Sequence, residues 1–237
     1  MPEHLTDISK RITDIRADVG FVVDPDVDRL AILTEEGNPF GEEYTLVAVA
    51  DYVLQHTPGN TVSNLSSTQA LRDITRKHGG SYFTAAVGEV NVVAKMKEVT
   101  AVIGGEGNGG VIYPELHYGR DALVGIALFL TALAASGEKV SVMRDRFPSY
   151  YISKNKIAFS KGMDVQKILD KLAERYTKCD ISTIDGVRIT FENEWVHLRK
   201  SNTEPIIRIY AESDMMVKAD HLAQKILNDF KEILNDL

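Results

Sequence analysis

Apolar positions alternate between short runs and stretches of helical spacing through the first two thirds of the chain. Residues 18–23 read as a buried strand and residues 30–33 as a second, with an acidic loop between them. Beyond the turn chemistry of Glu35-Glu36-Gly37-Asn38-Pro39, the pattern predicts a helix over 42–56, a strand over 61–65 and a helix over 68–77. Ser66-Ser67-Thr68 supplies an N-cap for that helix and Gly79-Gly80 its stop. A strand at 81–84, a helix at 89–97 and a strand at 101–104 follow; after a glycine-rich loop comes a long helix, 121–135. Strands alternating with helices of this length predict a three-layer α/β/α domain with a mostly parallel sheet.

The pattern changes after Phe147-Pro148. A strand is expected over 150–159, an amphipathic helix over 164–176, strands over 180–184, 187–191, 195–200 and 206–212, and a terminal helix ending near Leu234. Asp185-Gly186 between two apolar runs is a hairpin signal. These elements make a smaller α+β C-terminal domain. The Met215-Met216 pair is expected to pack beneath the terminal helix. Residues 1–38 offer two strands and one short helix, too little to cover both faces of a sheet, so the chain is expected to begin within a domain.

Composition narrows the classes. The hydrophobic share of 44% and charged share of 26% are those of a globular protein, which sets aside disordered and fibrous readings. The longest apolar stretch, 122–135, is too short to span a bilayer. Residues 1–19 are broken by charges and read as no signal peptide, so no membrane role is expected. A single cysteine, Cys179, cannot form an internal disulfide and points to a reducing cytoplasm. The net charge of −7 argues against a nucleic-acid partner, and binding an anionic ligand would need locally concentrated positive charge.

Three loops carry candidate chemistry. In Asp24-Pro25-Asp26-Val27-Asp28-Arg29, carboxylates at alternate positions can converge on one hard cation, Mg²⁺ or Ca²⁺; the alternative is a solvated acidic turn. A calcium EF-hand fails, since Arg29 stands where that loop needs glycine and both flanks are strands. In Gly104-Gly105-Glu106-Gly107-Asn108-Gly109-Gly110, the glycines match the dinucleotide fingerprint. A strand and not a helix is expected after it, so a pyrophosphate would meet no helix N-terminus. What remains is a flexible backbone presenting a carboxylate and an amide, suited to neighbouring sugar hydroxyls, or an ordinary glycine-rich hairpin loop. The third loop, Arg199-Lys200-Ser201-Asn202-Thr203-Glu204-Pro205, gathers a guanidinium, hydroxyls and an amide between two strands. Those donors suit a phosphate, which arginine can hold through two parallel hydrogen bonds; a polar turn is the alternative.

Taken in order and spacing, these loops resemble the α-D-phosphohexomutases, the family of phosphoglucomutase and phosphomannomutase, over nearly the whole chain. The resemblance implies Mg²⁺ on Asp24, Asp26 and Asp28 with Arg29 beside it, sugar recognition by Glu106 and Asn108, and phosphate on Arg199, Ser201, Asn202 and Thr203. Gly119-Arg120-Asp121 resembles the family segment that follows the sugar loop. It further implies a division into the end of a second domain (1–38), a sugar-binding third domain (39–147) and a phosphate-binding fourth (148–237). The expected activity is interconversion of hexose 1-phosphate and 6-phosphate through a bisphosphate. Phosphoglucosamine is an alternative substrate within the family, and a non-catalytic sugar-phosphate-binding protein is the competing class. Two departures stand out. The family's loop often places serine and histidine where this chain has Asn108 and Gly110, and a basic residue often stands where Ala86 does. No Ser-His dipeptide occurs here, so the phosphoserine and its domain are expected to be supplied by missing N-terminal domains, and the chain alone is expected to be inactive.

Overall fold

The computed structural model describes residues 5–159, 163–201 and 204–236. Two compact units divide the chain, Met1–Pro148 and Ser149–Leu237.

The first unit opens with helix α1 (Thr6–Ile15) and a hairpin of β1 (Val19–Val23) and β2 (Leu30–Thr34), paired antiparallel with Val23 opposite Leu30. A Cβ on Gly20 would meet the Ile12 side chain, so α1 packs closely on this strand. The strand expected to be buried is not: Gly20 is its one buried residue and Val23 is 38% exposed, since β1 pairs only with β2 among the described residues. Helix α2 (Glu42–His56), β3 (Asn60–Asn64), α3 (Ala70–Lys77), β4 (Tyr82–Ala85), α4 (Glu89–Glu98), β5 (Ala101–Glu106), β6 (Gly110–Ile112), α5 (Ala122–Ser136) and α6 (Val140–Asp145) follow.

Their sheet runs β4-β3-β5-β6, parallel except for the last pair. Successive residues of a strand point to opposite faces, and β5 shows what covers each. A Cβ on Gly104 would meet Met96 of α4, whereas one on Gly105 would meet Leu46 of α2. Helices therefore lie on both faces. Asp121 starts α5 as expected, its carboxylate accepting from the N–H groups of Leu123 and Val124. Phe129 of α5 meets Phe21 and Phe40 edge-on, at ring separations of 6.0 and 5.2 Å, so the opening hairpin shares a core with the helix.

The second unit contains β7 (Tyr151–Ala158), α7 (Val165–Arg175), β8 (Asp180–Ser182), β9 (Val187–Thr190), β10 (Trp195–Lys200), β11 (Ile206–Ser213) and α8 (Met216–Asn235). Its sheet is antiparallel throughout, in the order β7-β11-β10-β9-β8. Val187, Ile189, Val196, Leu198, Ile207 and Ile209 share one core with Ile168 and Leu172 of α7 and Ile226 and Phe230 of α8. Gly186 takes the left-handed conformation that the Asp185-Gly186 turn demands. The Met215-Met216 expectation is corrected: both side chains are exposed, because the buried stripe of α8 begins one turn later, at Ala219. No helix among the described residues is long and apolar enough to cross a membrane.

Candidate functional site

The acidic loop is the tip of the β1–β2 hairpin. A turn closes with the N–H of Val27 donating to the carbonyl of Asp24, and Asp24 Oδ1 accepts from the N–H groups of Asp28 and Arg29 at 3.2 and 3.1 Å. Val27 has φ 57°, a left-handed conformation that a β-branched residue adopts at a cost of about 1–2 kcal/mol. One oxygen from each of Asp24, Asp26 and Asp28 lies within 4.8 Å of the others, with Asp26 on the solvent side. Arg29 Nε lies 3.6 Å from Asp24 and 3.7 Å from Asp28.

The carboxyls of the cluster are unequal. Burial, followed by the adjoining carboxyl of Asp24, pushes the Asp28 carboxyl up. Burial acts the same way on Asp24, but the N–H donors outweigh it and hold that carboxyl below its ordinary value. Asp28 Oδ1 is buried with no hydrogen-bond partner. A buried carboxylate oxygen without a donor is costly, and a hard divalent cation on that oxygen removes the cost. The donor set fits such an ion.

The glycine-rich loop joins β5 to β6 as a tight hairpin, with Glu106 opposite Gly110. A strand, not a helix, follows Gly110, so the dinucleotide reading stays excluded. Glu106 is 4% exposed. Its Oε1 accepts from Asn64 Nδ2 at 2.8 Å and the N–H of Gly88 at 3.0 Å, and its Oε2 from Arg120 Nη1 at 2.7 Å. Asn108 folds back so that its Oδ1 accepts from the N–H of Gly110 at 3.2 Å. The loop is bonded to the acidic one through the backbone: the N–H of Leu30 donates to the carbonyl of Gly109 at 3.1 Å, and that of Ala122 to Val27 at 3.0 Å. Gly109 has φ 86°, and a Cβ there would strike the carbonyl of Leu30. Two loops separated by about eighty residues form one surface.

Arg120, identified in the sequence only as part of a short segment, is the centre of this surface. Its Nε donates to Glu89 at 3.1 Å, its Nη1 to Glu106, and its Nη2 to Asp28. Its position beside the helix cap Asp121 was the available signal; partners 14, 31 and 92 residues away are a product of the fold.

In the second unit Arg199 stands on β10 directly opposite Arg208 on β11. Both Nε atoms are buried and without a hydrogen-bond partner. Like charges directly opposite on neighbouring strands destabilise a sheet, and here the Glu204 carboxylate offsets part of that by accepting from Arg208 Nη2 at 3.2 Å. Ser201, 6% exposed, closes the end of the strand pair, its N–H donating to Ile206 at 2.9 Å and its Oγ accepting from the N–H of Glu204 at 3.3 Å. Asn202 and Thr203 lie outside the described residues. Arg208, absent from the sequence-derived set, is found only once strand register is known.

Comparison with known proteins gives a consistent picture. Residues 41–151 match the phosphoglucomutase/phosphomannomutase alpha/beta/alpha domain III, and residues 154–229 match the C-terminal domain of the same proteins. The acidic loop precedes both spans. A phosphoglucomutase/phosphomannomutase of Thermococcus kodakarensis is 36% identical over 92% of this chain and 48% of its own length. A probable phosphoglucosamine mutase of Methanopyrus kandleri is 31% identical over 98% of this chain and 51% of its own. Among solved structures, a phosphoglucomutase/phosphomannomutase family protein from Burkholderia thailandensis superposes with a TM-score of 0.81 at 26% identity, covering 100% of this chain and 50% of that one. The chain thus spans about half the length of the relatives it matches.

Proposed function

Because the chain belongs to the phosphoglucomutase/phosphomannomutase family, we propose that it supplies the cation-, sugar- and phosphate-binding loops of a phosphohexomutase that interconverts hexose 1-phosphate and 6-phosphate through a bisphosphate. The observation that carries this reading is the joining of the Asp24–Asp26–Asp28 cluster to the loop of Glu106 and Asn108 by the Leu30–Gly109 backbone hydrogen bond. A transferring phosphoryl group and the sugar that receives it need their binding groups at such a junction.

Asp24, Asp26 and Asp28 would hold Mg²⁺, which supplies charge stabilisation for the transferring phosphoryl oxygens when bound. Arg29, close to two of these carboxylates, adds positive charge at the same centre. Glu106 and Asn108 would take sugar hydroxyls from two orientations of one ring, since the bisphosphate must turn end for end. Arg199, Ser201, Asn202 and Thr203 would grip the phosphate that is not reacting, and that remote binding energy orients the reacting end. Arg208, opposite Arg199, adds a second guanidinium to the same grip. The phosphoryl-carrying serine belongs to the missing N-terminal domains in this reading, so the chain alone binds without turning over. A free, half-buried Cys179, the single cysteine of the chain, suits a reducing cytoplasmic setting.

Calorimetric titration of the chain with glucose 6-phosphate in the presence of Mg²⁺ tests the reading. Saturable binding that Arg199→Ala weakens is expected, with no binding of unphosphorylated glucose. Heat equal to that of buffer across the millimolar range, or binding indifferent to Arg199, would overturn it. Substituting mannose and glucosamine 6-phosphates in the same titration ranks the hexose.

A further inference from the structure

Gly110 and Arg120 are a matched pair. A Cβ built on Gly110 would collide with Cδ of Arg120, and the arm that fills this space carries the guanidinium to Asp28, Glu89 and Glu106. Side-chain exposure of Arg120 is 13%, and those of its partners Asp28 and Glu106 are 15% and 5%. One fixed cation therefore sits between a carboxylate of the cation cluster and the carboxylate of the sugar loop, in a setting that screens it weakly.

The contacts of Asp28 are divided. One oxygen, Oδ2, is occupied by Arg120, while the other, Oδ1, is buried without a donor on the side of Asp24 and Arg29. Glu106 is divided in a related way. Its Oε1 is held by Asn64 and Gly88, groups of the rigid sheet and of a helix start, but its Oε2 is held by Arg120. Any ligand hydroxyl that reaches Oε2 competes with this guanidinium. Any divalent cation on Asp28 meets a like charge on the opposite side of the same carboxylate.

We propose that Arg120 is a positioning residue shared by the two loops: it orients Asp28 and Glu106 in the unliganded chain, holds the affinity for the divalent cation down, and is loosened from Asp28 when the cation arrives. This inference rests on the cation-site reading above and extends it to a residue that touches no ligand atom itself. A cation on Asp28 neutralises the charge that attracts Nη2, and the guanidinium then leans on Glu89 and Glu106. By linkage, whatever fixes Arg120 on Glu106 strengthens cation binding by the same factor. A histidine at position 110 would exclude this coupling, since its side chain would claim the volume of the Arg120 arm.

The test is Mn²⁺ binding to the purified chain, followed by the loss of the free-ion EPR signal, in wild type, Arg120→Met, Arg120→Lys, Gly110→Ala and the Gly110→Ala/Arg120→Met double variant. Removing the competing charge is expected to tighten binding about tenfold in Arg120→Met. Arg120→Lys, which keeps the charge on a single donor head, should fall between. Gly110→Ala should tighten binding as well, and the double variant should bind no tighter than Arg120→Met, because both substitutions remove the same contact. Circular dichroism and melting curves establish that each variant is folded. A purely structural role predicts the opposite sign, since a loosened loop binds the ion less well. Unchanged or weaker binding in folded Arg120→Met and Arg120→Lys, with wild-type binding abolished by Asp24→Asn, overturns the Arg120 inference and leaves the cation site standing. Failure of wild type to bind Mn²⁺ at all overturns both.

Discussion

Trp195 and Glu212 face each other across β10 and β11, and the indole N–H donates to Glu212 Oε1 at 2.6 Å inside the second unit. Both residues are fully buried, and Arg188 stacks on the indole at 4.4 Å. Trp195→Phe keeps an aromatic ring but removes a donor from a buried carboxylate. It is expected to lower stability by about 3 kcal/mol, the scale for breaking one side of a buried charged contact. Combining it with Glu212→Leu should recover part of that loss, because the carboxylate that lost the indole donor is then gone as well. Urea unfolding of the two single variants and the double variant measures the recovery.

His197, beside this pair on β10, gives the protein an acid-side weakness. Burial holds its imidazole down to about 4, and its Nε2 lies 2.6 Å from the carbonyl of Asp185, to which the neutral ring donates. In the unfolded chain the ring takes up its proton near its ordinary value of about 6.5. Between these two values the unfolded state binds more protons, so stability present above pH 6.5 is lost as the pH falls toward 4. The loss totals roughly 3 kcal/mol. His197→Gln removes this contribution, and the difference between wild type and variant across pH 7, 6 and 5 in urea titrations should shrink with falling pH.

Asp26 is the exposed member of the acidic cluster. Asp26→Asn should therefore leave the cation-free protein within about 0.5 kcal/mol of wild type, as exposed substitutions do. In wild type, Mg²⁺ at a hundredfold its Kd should stabilise the first unit by about 2.7 kcal/mol. The variant should lose most of that. Scanning calorimetry with and without Mg²⁺ separates the two effects.

Arg199→Ala should weaken hexose-phosphate binding by about 2 kcal/mol or more, since a charge-assisted contact is lost and Arg208, already shared with Glu204, does not replace it. Arg199→Lys should recover only part of it, because the parallel pair of donors is not restored. Competition by inorganic phosphate in the same titration locates the loss at the phosphate and not at the sugar.

The architecture between residues 42 and 135 was legible because its elements are punctuated by local chemistry: Gly79-Gly80 after α3, Asp121 before α5. Asp185-Gly186 was readable for the same reason. Sequence pattern failed where burial depends on partners. The β1 run is as apolar as a core strand, yet its surroundings leave Val23 in solvent. Helix α6 is six residues long, too short for periodicity to show, and is fixed instead by Glu35 accepting from the N–H of Ser141 at 3.1 Å across 106 positions. The three carboxylates of the acidic loop announced themselves by spacing. Arg120 and Arg208 did not, because what distinguishes each is the identity of a distant partner, and no local rule carries that.

The backbone hydrogen bonds from Leu30 to Gly109 and from Ala122 to Val27 have a consequence for heredity and for engineering alike. The acidic hairpin and the glycine hairpin are inherited at two places in the chain but fit as one casting. A chimera with its crossover between residues 34 and 101 would bring together halves shaped against different counterparts, with Gly109 and Val27 in conformations that only their own partners reward. Grafting the substrate preference of a relative onto this scaffold therefore calls for moving both hairpins together with Arg120, while the alternating helices and strands between them can stay as they are.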